Sequence, residues 1–372
     1  MTGPVQNDAH DGVQDNPYGV YVPGSRDSLP WLPPPLLDDH PLVPWAEESH
    51  AGQWVDVDHA LDQVKQFEQC LRRLPEMILP KVDTGHLVVV TGPVGMGKTT
   101  LIHRCVHLAR QHLEYFRQQP RAGAGRAGVI QPPTPYVAMT GGYDNRANGI
   151  STDARGQFAS TQDINTALRN KIVDELGDQF PEKSLQRVRD EEEVHEAFRL
   201  LSRLLAQQDA LLLVLVPHMD WRDDMGSVRT DFLRTCLKHA RSRIVLFVEV
   251  CHHDPDRAHE VVDEIWPNSA LTHLKLGSLT SEDTVKFSQA ARGEHPDPDA
   301  PVHSGEWLTS DVRQLRKAYF SIAEERRRTG GEVRVAAADL GTPVLDVSAM
   351  ARNPAAAAGR PVPRQPPAPP GS

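Results

Sequence analysis

The sequence predicts an α/β protein: a parallel sheet sandwiched by helices, followed by a small all-helical unit. Three observations predict it. Short, continuous apolar runs alternate along the chain with stretches whose apolar residues step by three and four. The runs themselves do not alternate apolar with polar, so both faces of each strand are buried, as in a sheet covered by helices on both sides. After Leu276 the apolar runs stop and only helical periodicity continues.

The elements follow in order. Val57, Leu61, Val64, Phe67, Leu71 and Leu74 mark an amphipathic helix that stops near Pro75. Residues 86–91 (HLVVVT) read as a fully buried strand, followed at once by glycines and by a helix with Leu101, Ile102, Cys105, Leu108 and Ala109 inward. A strand at 136–139 and helices at 163–178 and 191–207 lead to a second continuous apolar strand at 211–216 (LLLVLV). A helix carrying Val228, Phe232, Leu233, Cys236 and Leu237 then enters a strand at 244–250, and a helix at 258–266 precedes a short strand at 271–276. Helices at 281–292 and about 308–328 form the helical unit. Crossovers between parallel strands are right-handed, and ligands gather at the C-terminal strand edge.

Four segments result: a disordered, proline-rich leader over 1–52, a core over 53–277, a helical lid over 278–345, and a disordered Pro/Ala tail over 346–372. The leader has no helical or strand period, although Trp31, Leu32, Leu36, Leu37 and Trp45 could dock on a partner or on the core. Many of the 31 prolines crowd towards the two ends.

Hydrophobic residues at 39% and charged residues at 24% are ordinary globular values. A formal net charge of −10 argues against nucleic acid as the main partner, because phosphate backbones attract basic surfaces. Arg104, Arg110, Arg117, Arg121 and Arg126 form a local basic stretch that leans the other way. Cys70, Cys105, Cys236 and Cys251 lack CxxC spacing, and Cys70, Cys105 and Cys236, each among apolar residues at helical spacing, read as buried reduced thiols. With no signal-like N-terminus and no apolar run of bilayer length, the expectation is a cytoplasmic protein without a membrane contact.

Gly92, Pro93, Val94, Gly95, Met96, Gly97, Lys98, Thr99 and Thr100 satisfy the pattern G-x-x-x-x-G-K-[ST] between a buried strand and an amphipathic helix. The glycines allow positive φ and let backbone N–H groups close around phosphate oxygens. The helix presents its positive N-terminal end to the same phosphates. Lys98 is expected near the β and γ phosphates and Thr99 on Mg²⁺, so the loop predicts binding of ATP with Mg²⁺.

Hydrolysis needs an acid beside the magnesium and another to position water. These are expected at the end of the apolar strand next to the phosphate-loop strand, here the strand that ends at 214–220 (VLVPHMD). Pro217 and His218 stand where the acids are expected. Asp220 follows late as the candidate metal ligand and catalytic acid, with Asp223 and Asp224 beyond it. Asp220 as a cap of the next segment is an equal reading. Glu249 interrupts the apolar run at 244–250; a buried carboxylate needs a partner, so Glu249 either orients water or magnesium or ends the strand in solvent. Cys251, His252, His253, Asp254 and His259 resemble a metal cluster but lack a converging second pair, and Cys251 or His252 near the γ-phosphate is the better reading.

The string GHLVVVTGPVGMGKTT resembles the first strand and loop of AAA+ and STAND ATPases. Residues 274–283 (LKLGSLTSED) are similar to their passage from the last strand into the lid. Residues 310–315 (SDVRQL), a long helix and 333–339 (VRVAAAD) resemble the lid of replication-initiator-like members. The resemblance implies that Arg313, or less directly Arg316, reaches the γ-phosphate. It covers about residues 54–340. The sequence departs from the family in its missing acid pair and in having no arginine at 266–273, where ring-forming members place a trans-acting finger. The function implied is an ATP-dependent switch on a protein partner, slow in hydrolysis. A P-loop kinase or other phosphoryl transferase, and a DNA-associated initiator or transposition-accessory ATPase, are the alternatives. The loop at 140–160, the oligomeric state and the process served are not assigned by the sequence.

Overall fold

The structure is a computed structural model that describes residues 16–21, 36–37, 40–74, 83–118, 132–140, 161–216, 226–251, 255–265, 268–280, 311–335 and 339–340, with residues 283, 286 and 289 singly. Its centre is a five-stranded parallel sheet: β3 (His86–Gly92), β4 (Thr134–Met139), β5 (Ala210–Leu215), β6 (Ile244–Cys251) and β7 (Leu271–Lys275). Their lateral order is β4-β5-β6-β3-β7, and each adjacent pair is parallel. A small antiparallel pair, β1 (Val20–Tyr21) with β2 (Leu36–Leu37), lies outside this sheet.

The strand side chains divide between two apolar cores. Leu87, Val89, Leu212, Val214, Leu246 and Val248 point to one face, where α3 (Thr161–Glu175), α4 (Glu182–Asp190), α5 (Val194–Gln207), α6 (Gly226–His239) and α7 (Pro255–Asp263) supply the remaining residues. Val88, Val90, Leu211, Leu213, Val245 and Phe247 point to the other, shared with α1 (Asp58–Leu71), α2 (Lys98–Gln118) and α8 (Val312–Arg328). Adjacent residues of one strand thus serve opposite cores, which is why the runs show no polar alternation. This is a P-loop NTPase α/β fold.

Two differences from the sequence expectations stand out. The interval 163–207 holds three helices rather than two, because α4 is a separate nine-residue helix begun after Pro181. Parts of the expected leader are packed: Tyr18, Val20, Leu42 and Val43 are buried, and Trp45 lies against the second core. Most of the expected helix at 281–292 and the tail from 346 lie outside the described residues. Among the described residues no helix is long and apolar enough to cross a membrane.

Candidate functional site

The site lies where β3 ends and α2 begins. Gly95 and Gly97 take left-handed backbone conformations, with φ of 80° and 83°. A Cβ at Gly95 would fall 2.3–2.6 Å from the Asp311 carboxylate group, so this position must be glycine for α8 to approach. A Cβ at Gly97 would meet nothing within 4 Å, which leaves that turn of the loop open. The Leu101 N–H donates to the Gly97 carbonyl at 2.8 Å and closes the first turn of α2.

Two residues of that first turn carry the polar chemistry. The Lys98 side chain is 5% exposed, and its ammonium donates to the Pro93 carbonyl at 2.6 Å and to Cys251 Sγ at 3.2 Å. The Thr99 hydroxyl donates to Glu249 Oε2 at 2.8 Å. Glu249 is opposite Val90 in the β3–β6 register and Cys251 is opposite Gly92, so the pairing of these strands delivers both side chains to the loop. Burial of Glu249 at 4% exposure is offset by the Thr99 hydroxyl, the kind of partner that a buried carboxylate requires.

A histidine layer lies beneath. Thr91 Oγ1 is 2.8 Å from both His259 Nδ1 and His273 Nε2. One hydroxyl carries one proton, so it donates to one ring and accepts from the other. Burial, aided by Lys275 and His259, pushes His273 down to about 3, and burial also lowers His259. His103, one turn beyond Thr99 in α2, accepts from Trp45 Nε1 at 3.0 Å. Burial pushes His103 down to about 3; His40 and His50 reinforce this, and Glu249 opposes it.

The N-terminus of α8 sits on the loop. Asp311 caps it by accepting from the Gln314 N–H at 2.8 Å, and the Arg313 N–H donates to the Gly95 carbonyl at 3.1 Å. The Arg313 side chain is exposed, whereas Arg316 is half-buried and burial lowers it to about 10.

The structure corrects one expectation directly. β5 is not next to the phosphate-loop strand: it pairs with β4 and β6, and β6 lies between it and β3. A continuous apolar run says that a strand is central but not which strands flank it. The acid brought to Thr99 therefore comes from β6, as Glu249. Pro217, His218, Asp220, Asp223 and Asp224 lie outside the described residues, as do His252, His253, Asp254 and residues 141–160. His259 faces Thr91, and among the described residues no three His, Cys, Asp or Glu side chains are grouped to hold a metal ion. Sequence reading missed Thr91, His103, His273 and Asp311. Of these, only His103 carried a signal, its four-residue spacing from Thr99 on one helix face.

These residues fit a nucleoside triphosphate and its magnesium: glycines with positive φ, an open turn at Gly97, a helix N-terminus, a buried ammonium and a hydroxyl–carboxylate pair. Lys98 would hold phosphate oxygens, and Thr99 with Glu249 would face the metal ion. Bound Mg²⁺ supplies positive charge against the phosphate oxygens.

The family comparison agrees with this geometry. The AAA ATPase domain family matches residues 63–263, more than half of the chain. A search of curated protein sequences gives no match. Among solved structures, the Aeropyrum pernix ORC2 protein in its ADPNP–ADP complexes shares 14% identity at a TM-score of 0.45, over 77% of this chain and 69% of that one. Cdc6p from Pyrobaculum aerophilum shares 14% at 0.38, over 72% and 63%. Domain III of the Thermotoga maritima replication initiation protein DnaA shares 13% at 0.31, over 73% and 88%. With its G-x-x-x-x-G-K-[ST] loop at the C-terminal end of β3 in a parallel sheet and the family match across the core, the chain belongs to the AAA ATPase domain family.

Proposed function

We infer that the chain binds Mg·ATP at Gly92–Thr100 and acts as a nucleotide-dependent switch on a protein partner, with slow hydrolysis of its own. One observation carries this reading: the Arg313 N–H bonded to the Gly95 carbonyl, with Asp311 packed on the same glycine. The loop that would cradle phosphate and the helix assigned to the lid thus share a backbone contact. A change in loop conformation on nucleotide binding is transmitted to α8 without an intermediary. Lys98 binds phosphate, Thr99 and Glu249 serve the metal and the attacking water, and Arg313 is the lid residue that distinguishes ATP from ADP.

The slow rate rests on Glu249 being the single acid bonded to Thr99 among the described residues, with Asp220 left as the candidate second acid for hydrolysis. The test is turnover by purified full-length protein, measured as phosphate release under saturating Mg·ATP with binding followed by calorimetry. Tight binding with turnover well below the roughly 1–100 s⁻¹ of kinases is expected. Absence of binding sinks the reading, and turnover in the kinase range replaces the switch with an enzyme. Localisation to the cytoplasm and the absence of a membrane role belong to the same proposal.

A further inference from the structure

Two stretches of the N-terminal segment are anchored on the two elements that carry the nucleotide chemistry. The first anchor is on α8. Asn16 Nδ2 donates to the Phe320 carbonyl at 2.8 Å, the Tyr18 ring stacks on Tyr319 at 5.0 Å, and the Tyr18 hydroxyl donates to the Val335 carbonyl at 3.2 Å. Tyr18 is 1% exposed, so this is a core contact. The second anchor is on α2. Trp45 Nε1 donates to His103 Nδ1, and Arg110 donates to the Trp45 carbonyl at 2.9 Å. Arg104 lies over the Trp54 ring at 4.7 Å and pairs with Asp56 at 2.8 Å. The stretch holds its own shape through His50, whose Nδ1 accepts from the Val43 N–H at 2.8 Å.

The placement of these anchors is informative. His103 lies one turn from Thr99, which bonds Glu249, and Tyr319 lies on the helix whose first turn bonds Gly95. Tyr18, Leu101, Ile102, Leu315 and Tyr319 belong to one contiguous core, with Trp45 and Val55 packed against it. Packed cores have discrete arrangements and do not deform continuously, so movement of α8 relative to α2 must break or carry both anchors.

We propose that residues 16–21 and 40–54 act together as a strap that couples α8 to the phosphate-loop helix, and that the position of these two stretches reports the state of the nucleotide site. The second half rests on the nucleotide-switch reading above; the first half does not. Coupling of this kind is reciprocal: whatever displaces the strap weakens nucleotide binding, and nucleotide tightens the strap. The N-terminal segment is then the place at which a partner senses or sets the switch.

Hydrogen–deuterium exchange on the full-length protein tests the coupling. The variants are Trp45→Ala, Trp45→Phe, which keeps a ring but removes the bond to His103, and Tyr18→Ala. Weakening of the α2 anchor in Trp45→Phe, which leaves the Arg110 and Arg104 contacts in place, should raise exchange not only in residues 40–54 but also in residues 16–21 and α8, by roughly tenfold for a contact of this kind. Unchanged exchange in β5 and α5 shows that the fold is intact, and Trp45→Phe serves if Trp45→Ala does not fold. Increased exchange confined to residues 40–54 overturns the strap, whatever the nucleotide does. Calorimetry with Mg·ATPγS on the wild type tests the nucleotide reading separately. Where it binds, both anchors should gain protection, and unchanged protection overturns the reporting role.

Discussion

The Thr99 hydroxyl and the Glu249 carboxylate meet at 2.8 Å, across the gap between the first turn of α2 and the strand β6 that flanks the phosphate-loop strand. This pair joins the residue proposed to face magnesium with the buried acid that bonds it. Glu249→Gln keeps the shape and an acceptor for Thr99 but removes the charge. The expected outcome is retained ATP binding with turnover reduced by about 10²-fold or more, the scale of a lost acid or base. Asp220→Asn, measured beside it, assigns the role: loss of turnover in Asp220→Asn alone would remove Glu249 from the chemistry.

Lys98 is the buried cation of the loop, and its ammonium already accepts desolvation in exchange for the Pro93 carbonyl and Cys251. A charge-assisted hydrogen bond contributes about 1.5–3 kcal/mol, so Lys98→Ala should weaken Mg·ATP binding by roughly 10- to 100-fold. Circular dichroism should show an unchanged fold. Equal affinity in calorimetry would place the nucleotide elsewhere.

Cys251 differs from the other thiols in place and exposure. Burial pushes Cys70 up to about 11 and holds Cys105 and Cys236 well above the ordinary range, whereas Cys251 is half-exposed and accepts from Lys98. Iodoacetamide at neutral pH should therefore label Cys251 ahead of the other three, as read by peptide mass spectrometry. Saturating Mg·ATP should slow the labelling several-fold, and Cys251→Ser should keep nucleotide binding while escaping it. Labelling that spreads evenly over the four cysteines contradicts the geometry.

The buried histidines set an acid limit. His103 has an ordinary value of 6.5 and a folded value of about 3, and His273 behaves alike. Between those values the unfolded chain binds protons that the folded chain refuses, so stability is fully present above about pH 6.5 and is lost as pH falls towards 3. His103→Gln retains a neutral acceptor for Trp45 but cannot take the proton. The slope of denaturant stability against pH should become shallower by about one proton in that window. An identical slope would mean that His103 charges without cost.

Much of the fold was legible because its signals are local. The apolar runs at 86–91 and 211–216 and the three-and-four spacing of Val64, Phe67 and Leu71 each fix an element without reference to its neighbours. The phosphate loop was legible for the same reason, since its glycines, lysine and threonine act within one turn. Lateral strand order was not, because nothing in the β5 run encodes that β6 separates it from β3. Glu249 was visible as an anomaly in an apolar run, but its partner Thr99 lies 150 positions away. The anchored leader was obscured by composition: prolines near Trp45 and Tyr18 suppress regular structure without preventing burial of the Tyr18 ring or packing of Trp45 against the core.

Arg313 is the lid residue that the proposed function assigns to the γ-phosphate, and its backbone N–H already bonds the Gly95 carbonyl. Arg313→Ala keeps the N–H bond to Gly95 and removes the guanidinium, so it separates the seat of α8 from its chemistry. A contact made to the γ-phosphate is absent with ADP, and only such a differential contact shifts a conformational equilibrium. ATP affinity should fall by about tenfold or more while ADP affinity stays within about twofold, as expected for one charge-assisted bond. Arg316 is an unsuitable control because burial lowers it to about 10, and its removal disturbs packing. Arg328, exposed at the far end of α8, is the better one. Small-angle scattering should show ATP-dependent compaction in the wild type and in Arg328→Ala but not in Arg313→Ala. Equal losses for ATP and ADP would return Arg313 to an exposed helix face and leave its backbone bond to Gly95 as its whole contribution.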